Sequence, residues 1–486
     1  MKSFASIKRT MIALLTASAI CAPLSGCEYS SIDEYLEALG MKDPDYGQEY
    51  STADTTFVIT EDVPAVAATE TTEEIVIESI SEASAIEDVA ALEDSVPADS
   101  ESPTSAADSK YSSSYKTSRE AVSDSEMQAA REAIGLTSDN IASIKKKQEG
   151  LYAYQRLTDE GKTLYVELLT IMENQASDIL ISTTSDEAVE LVFDYVMTDH
   201  PEIFYVDGYQ YTNYTVDDVI KKISFTGNYI YNKDEIADRQ SKINDAVNKC
   251  LANAPSSEDD YYVIKYIYDY LIENTDYDIN NPDNQNICSV FIDGRSVCNG
   301  YAKAAQYLLN KLGIECSLVT GTVDTKQAKG VRHAWNLVLC NNAYYYVDVT
   351  WGDSSYQTTN GESADASKLP AVNYDYLNVT TSELCTNHTI SDIIDMPICN
   401  SMTDNYYVRE DEYFKSSESA LIKDLFNRRY NDGSSNVTIK CATKEVYDEI
   451  FDQLITQRGV FDMLQGDTST VSYTTFADTR TIIFWL

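Results

Sequence analysis

Ser296-Val297-Cys298-Asn299-Gly300-Tyr301-Ala302, then His333-Ala334-Trp335-Asn336, then Tyr346-Val347-Asp348-Val349-Thr350-Trp351, decide how this chain is read. Ala305, Leu308, Leu309 and Leu312 follow at the spacing of one helix face, and Gly313 supplies a C-terminal stop. Cys298 thus lies at the start of a helix. Unpaired N–H groups and the macrodipole there favour a thiolate and lower its pKa. Its backbone N–H is a natural oxyanion donor. Gly300 and Ala302 are small and are expected to keep the first turn open to a substrate.

Downstream, Ile314–Thr320 reads as a strand and Thr322–Lys329 as a polar loop. His333–Cys340 and Tyr344–Trp351 read as two strands around Asn341-Asn342. Asn tolerates left-handed φ, so a tight two-residue hairpin is predicted. That loop pairs 340 with 343 and places 333 opposite 350 and 335 opposite 348. His333 and Asp348 then become diagonal neighbours on one face, about 7–8 Å apart at the backbone. A three-residue loop would put them on opposite faces.

A cysteine thiolate, a proton-moving imidazole and an orienting carboxylate suffice for acyl transfer through a thioester. The chain has three histidines. His200 precedes Pro201 and reads as a helix cap. His388 sits in Thr-Asn-His-Thr and reads as a solvated loop residue. His333 is left as the base, and Asp353 reads as a turn residue. Trp335 and Trp351 are candidates to line an acyl groove or to pack the hairpin. Asn286 or Gln285 is a candidate second oxyanion donor, with loop structure as the alternative. Tyr301 joins the candidate groove.

In order and context, these segments resemble the transglutaminase-like superfamily, whose members share a papain-like core. Cys-x-Gly-Tyr-Ala at a helix start, His-Ala-Trp-Asn opening a strand and Asp-Val-Thr-Trp on the next are similar to its three motifs. Asp199-His-Pro-Glu-Ile-Phe-Tyr-Val206 and Asn286-Ile-Cys-Ser-Val-Phe291 also resemble segments of bacterial surface members. The resemblance implies Cys298 as nucleophile, His333 as general base and acid, and Asp348 as orienting carboxylate. The superfamily includes calcium-dependent crosslinkers, cysteine peptidases, deglycosylating enzymes and inactive relatives. No dense carboxylate loop for calcium stands out.

The N-terminus carries Lys2, Lys8 and Arg9, then a short apolar run, then Leu24-Ser25-Gly26-Cys27. The run is too short for a comfortable membrane span. Its end resembles the lipobox of bacterial lipoproteins, which implies cleavage before Cys27 and lipidation of its thiol. Residues 28–108 hold 22 Asp or Glu against Lys42 alone, about half of the net charge of -43. Such a segment cannot bury enough apolar surface to order itself. No basic stripe suits nucleic acid.

Eight cysteines remain beyond the signal segment. They include no Cys-x-x-Cys pair, and histidines are few, which argues against zinc. Cys316 and Cys340 read as small buried hydrophobes. No cofactor or metal is expected.

The expected organisation is a lipoprotein signal peptide at 1–27, an acidic disordered tether at 28–125 and a mainly helical subdomain at 126–252. A transglutaminase-like core at 253–400 and a small α/β unit at 401–486 follow. The fold class is α+β, with a papain-like core in which the cysteine-bearing helix packs on an antiparallel sheet. The expected function is thiol acyl transfer on protein or peptide substrates at the outer face of the bacterial cell membrane. Cell-wall-associated substrates fit that location, and hydrolysis is favoured over amine transfer. The alternative is a catalytically silent binding module displayed at the surface.

Overall fold

The computed structural model describes residues 57–60, 124–216, 219–325, 328–353, 370–466 and 470–486. The expected signal segment and Cys27 lie outside them. So does the acidic segment, apart from the strand Phe57–Thr60 (β1) and the first residues of the helix Asp124–Ala133 (α1). Among the described residues no helix is long and apolar enough to cross a membrane.

Helices Ser138–Gln148 (α2), Asp159–Asn174 (α3) and Asp186–Asp199 (α4) follow α1. The apolar spacing of α3 buries Leu164, Leu168, Leu169 and Met172, and the Thr158 side chain caps its first turn through Gly161 N–H. Ser185 caps α4, which ends at His200, before Pro201. This helical region also carries an antiparallel sheet of order β2-β4-β3, from Ile179–Ile181 (β2), Val206–Val216 (β3) and Val219–Tyr229 (β4). Aromatic side chains hold it down, with Tyr209 stacked on Phe225 and against Phe193.

Next come the helices Lys233–Leu251 (α5) and Asp260–Asn274 (α6), and a short parallel pair, Asp276–Tyr277 (β5) with Arg295–Ser296 (β6). The helix Cys298–Lys311 (α7) leads into an antiparallel sheet of order β10-β7-β8-β9. Its strands are Cys316–Val323 (β7), Val331–Cys340 (β8), Ala343–Val347 (β9) and His388–Ile390 (β10). Alternation along β8 gives the sheet two buried faces. Val338 and Cys340 join the core formed with α6 and α7. Trp335 and Leu337 join the core formed with α3 and α4. The N-terminal helices and the cysteine-bearing helix therefore sandwich one sheet.

The helices Thr381–Leu384 (α8) and Tyr406–Arg409 (α9) connect this sheet to the C-terminal unit. That unit holds Tyr413–Phe414 (β11), Ser419–Asn431 (α10), Asn436–Cys441 (β12), Lys444–Phe451 (α11), Thr470–Phe476 (β13) and Thr481–Trp485 (β14). Its sheet runs β1-β13-β14-β12-β11 around a separate core. The Asn405 side chain caps α9. The helix α11 leaves α geometry after Phe451 and continues as a π turn over Asp452–Thr456.

Candidate active site

The hairpin that the site depends on has the predicted register. Cys340 pairs with Ala343 and Asn336 with Val347. Asn341 and Asn342 take φ of 47° and 70°, the left-handed pair that a two-residue turn requires. The turn is anchored as well, since Asn341 Nδ2 donates to Asp259 Oδ1 and Asp404 Oδ1.

The second strand is shorter than expected and ends at Val347. Asp348 instead opens a turn in which its Oδ1 accepts from Trp351 N–H at 3.1 Å. Its own N–H donates to Tyr376 O at 3.0 Å. The backbone thus fixes the carboxylate, leaving Oδ2 to face His333 Nε2 at 2.6 Å. With Nε2 so engaged, Nδ1 is the ring nitrogen left to serve the neighbouring Cys298 thiol. The structure therefore brings Cys298, His333 and Asp348 together in the predicted order.

Asp348 is fully buried and His333 is 5% exposed. Burial alone would lower the His333 pKa. The Asp348 carboxylate and the Cys298 thiol outweigh it and push the imidazole up to about 10. Burial opposes ionisation of Asp348 too, yet His333 and His388 hold its carboxyl below the usual range.

Cys298 is the first residue of α7 and is partly exposed. Val297 occupies the cap position and offers no side-chain acceptor, unlike Thr158 or Ser185. The first-turn N–H groups, which have no intrahelical partner, are therefore not taken by a side-chain cap. Among the eight described thiols, Cys298 is partly exposed, Cys385 is exposed and the other six are buried. All eight are free, and Cys316 and Cys340 are buried as expected.

Several other candidates serve packing or loop structure. Tyr301 and Trp335 are fully enclosed and line no groove. Tyr301 donates its hydroxyl to Thr275 O and to Asp353 Oδ2, both at 2.6 Å. Trp335 stacks on His333, with ring centres 5.8 Å apart. Trp351, 8% exposed, packs edge-on against Tyr376. Asn286 shapes its loop by accepting from Cys288 N–H, and Gln285 is bonded to Asn284 and Asn299. Lys303, buried on α7, tethers the same loop through Gln285 O at 3.3 Å. Burial pushes that amine down to about 8. Gly300 and Ala302 do not face a substrate either. A Cβ at 300 would collide with Ser296 Oγ, Ser289 Oγ and Asn284 O, so this glycine lets the 284–296 loop close on the helix. Ala302 packs against Leu318 and Ala334.

His200 closes α4 as expected and bonds Glu202 through Nδ1. His388 does not follow expectation. It is 2% exposed and lies on β10, with Nε2 3.0 Å from the same Asp348 Oδ2 that meets His333. Rings of Trp335 and Trp351 stand 5.0 Å from it. Gly321 makes room for this, because a Cβ there would strike Thr389 O and the Trp335 indole. Its polar neighbours in Thr-Asn-His-Thr gave no sign of this burial.

His333, Asp348 and His388 place potential ligand atoms within 4.8 Å of one another. Both imidazoles lie at hydrogen-bonding distance from one Asp348 oxygen, 2.6 and 3.0 Å. The cluster reads as a hydrogen-bond network.

Residues 248–349 match the profile of the Transglutaminase-like superfamily. No curated protein matches the chain significantly. Among solved structures, a TGase aligns at 14% identity over 29% of this chain and 50% of its own, with TM-score 0.21. A candidate cysteine protease from Cytophaga hutchinsonii aligns at 12% identity over 29% and 61%, with TM-score 0.20. Menin, solved with its binding site for the Mixed Lineage Leukemia protein, aligns at 16% identity over 46% and 48%, with TM-score 0.21. The chain spans less than two thirds of each of these structures. Residues 248–349, which hold the cysteine helix, the histidine strand and the aspartate turn, form a transglutaminase-like domain.

Proposed function

We propose that this protein is a thiol acyl-transfer enzyme that hydrolyses peptide or amide substrates through a Cys298 thioester. It acts at the outer face of a bacterial membrane, anchored through Cys27. The observation that carries the reading is the bond from His333 to Asp348 beside a partly exposed cysteine at a helix start. The thiolate attacks the carbonyl carbon, and the oxyanion is held at the first turn of α7. His333 gives its proton to the departing amine as the C–N bond breaks. The imidazole then takes a proton from water, which attacks the thioester, and the acid leaves as the thiol re-forms. A lysine amine in place of water would give a crosslink.

Iodoacetamide labelling of the full chain tests the reading. Cys298 should label in preference to the more exposed Cys385, and His333→Ala should weaken that preference. Equal labelling of the two would sink it. Mass analysis after incubation with peptides and amine donors then separates hydrolysis from transfer. A folded protein that yields neither product would favour a binding module.

A further inference from the structure

We propose that His388 is a positioning residue of this site. Its Nε2–H shares Asp348 Oδ2 with His333, which pins the carboxylate and limits its hold on the His333 imidazolium. The proposal rests on the reading of Cys298, His333 and Asp348 given above.

The argument begins with the oxygen. Asp348 Oδ2 receives His333 Nε2 at 2.6 Å and His388 Nε2 at 3.0 Å. Two donors on one oxygen divide its basicity, so each bond is weaker than it would be alone. The unequal distances put the shorter bond on the imidazole that meets the cysteine. Oδ1 is held by Trp351 N–H, so the carboxylate has three donors and no freedom to turn.

The charge state follows from the surroundings. His388 faces Asp348 from the turn after β9, His333 from β8, Tyr376 from the segment before α8 and the carbonyl of Leu384 in α8. Asp375, next to Tyr376, is turned instead to Lys440. Burial pushes the His388 pKa down. Asp348 raises it and the His333 charge lowers it, and the net direction is down. Nδ1 meets Asn387 Oδ1 at 2.6 Å, and Asn387 Nδ2 donates to Tyr376 Oη at 2.9 Å. Both ring nitrogens are therefore tied, Nε2 to Asp348 and Nδ1 through Asn387 to Tyr376, so the second imidazole is held in place against the carboxylate.

Because the chain has three histidines, ring 15N resonances can be assigned by single substitutions. In the wild-type chain the His388 ring should carry a proton on Nε2 at neutral pH and titrate below an ordinary histidine. An unprotonated Nε2 there would overturn the proposal, and this measurement needs no variant to fold. His388→Leu should move the His333 titration midpoint upward by about half a unit or more. Where the wild type turns over a substrate, it should also lower kcat about tenfold at unchanged KM, because a tighter imidazolium is a poorer acid. His388→Gln, which keeps a donor, should recover part of both. A folded His388→Leu variant with the midpoint unchanged or lowered would leave His388 as packing only. Failure of Cys298 to react would defeat the preceding reading, whereas the ring titrations judge His388 by themselves.

Discussion

His333 and Asp348 meet through a 2.6 Å hydrogen bond although fifteen residues and a chain reversal separate them. The bond depends on the backbone on both sides. The Asn341-Asn342 turn sets the register, and the Asp348 turn aims the carboxylate. Asp348→Asn should leave the fold intact and cut turnover by roughly 10⁴-fold, the scale seen when a triad loses its orienting carboxylate. Steady-state kinetics beside a melting curve checks this, and Cys298→Ala provides the zero.

Register is the second lever. One glycine inserted between Asn341 and Asn342 makes the loop odd and moves His333 to the other face relative to Asp348. The expected outcome is loss of selective Cys298 labelling together with a lower melting temperature. A point substitution Asn342→Gly, which suits a φ of 70°, should leave both nearly unchanged.

Stability should fall on both sides of neutrality. Asp348 is held below its ordinary 3.8 and His388 below 6.5, so their contributions are present at neutral pH. Those contributions are lost on acidification, first as pH drops below about 6.5 and then below about 4. His333 is raised from 6.5 to about 10, so its contribution is complete below 6.5 and disappears as pH rises through about 10. Melting temperatures from pH 4 to 10 should show both limbs. His333→Gln should flatten the alkaline one.

The C-terminal unit should matter to the site. Lys440 on β12 pairs with Asp375 at 2.7 Å, both buried, and Thr481 on β14 donates to the same carboxylate. Asp375 adjoins Tyr376, whose carbonyl receives Asp348 N–H. Lys440→Met strands a buried carboxylate, at a cost of about 3–5 kcal/mol. The expected result is a large drop in melting temperature and slower Cys298 labelling. Normal labelling in a destabilised protein would separate the two units.

The cysteine helix and the tight hairpin were legible because each is encoded locally. Ala305 to Leu312 shows its period, and Asn341-Asn342 shows its turn chemistry. The roles of Gly300, Tyr301 and Trp335 were not legible. Each is decided by contacts with segments distant in sequence, such as Asn284, Asp353 and His388. His388 was hidden for the same reason. Three residues on an outer strand carry no periodicity, and the partner of His388 lies forty residues back. A polar run reads as solvated until the sheet buries it.

The most direct test is to trap the acyl-enzyme. The full chain is incubated with an activated acyl peptide, quenched in acid and mapped by mass spectrometry. The acyl group should sit on Cys298 as a hydroxylamine-labile thioester and be absent from Cys298→Ser under the same treatment. An acyl group spread over Cys385 and other nucleophiles, or none on Cys298 of the folded protein, would contradict the account.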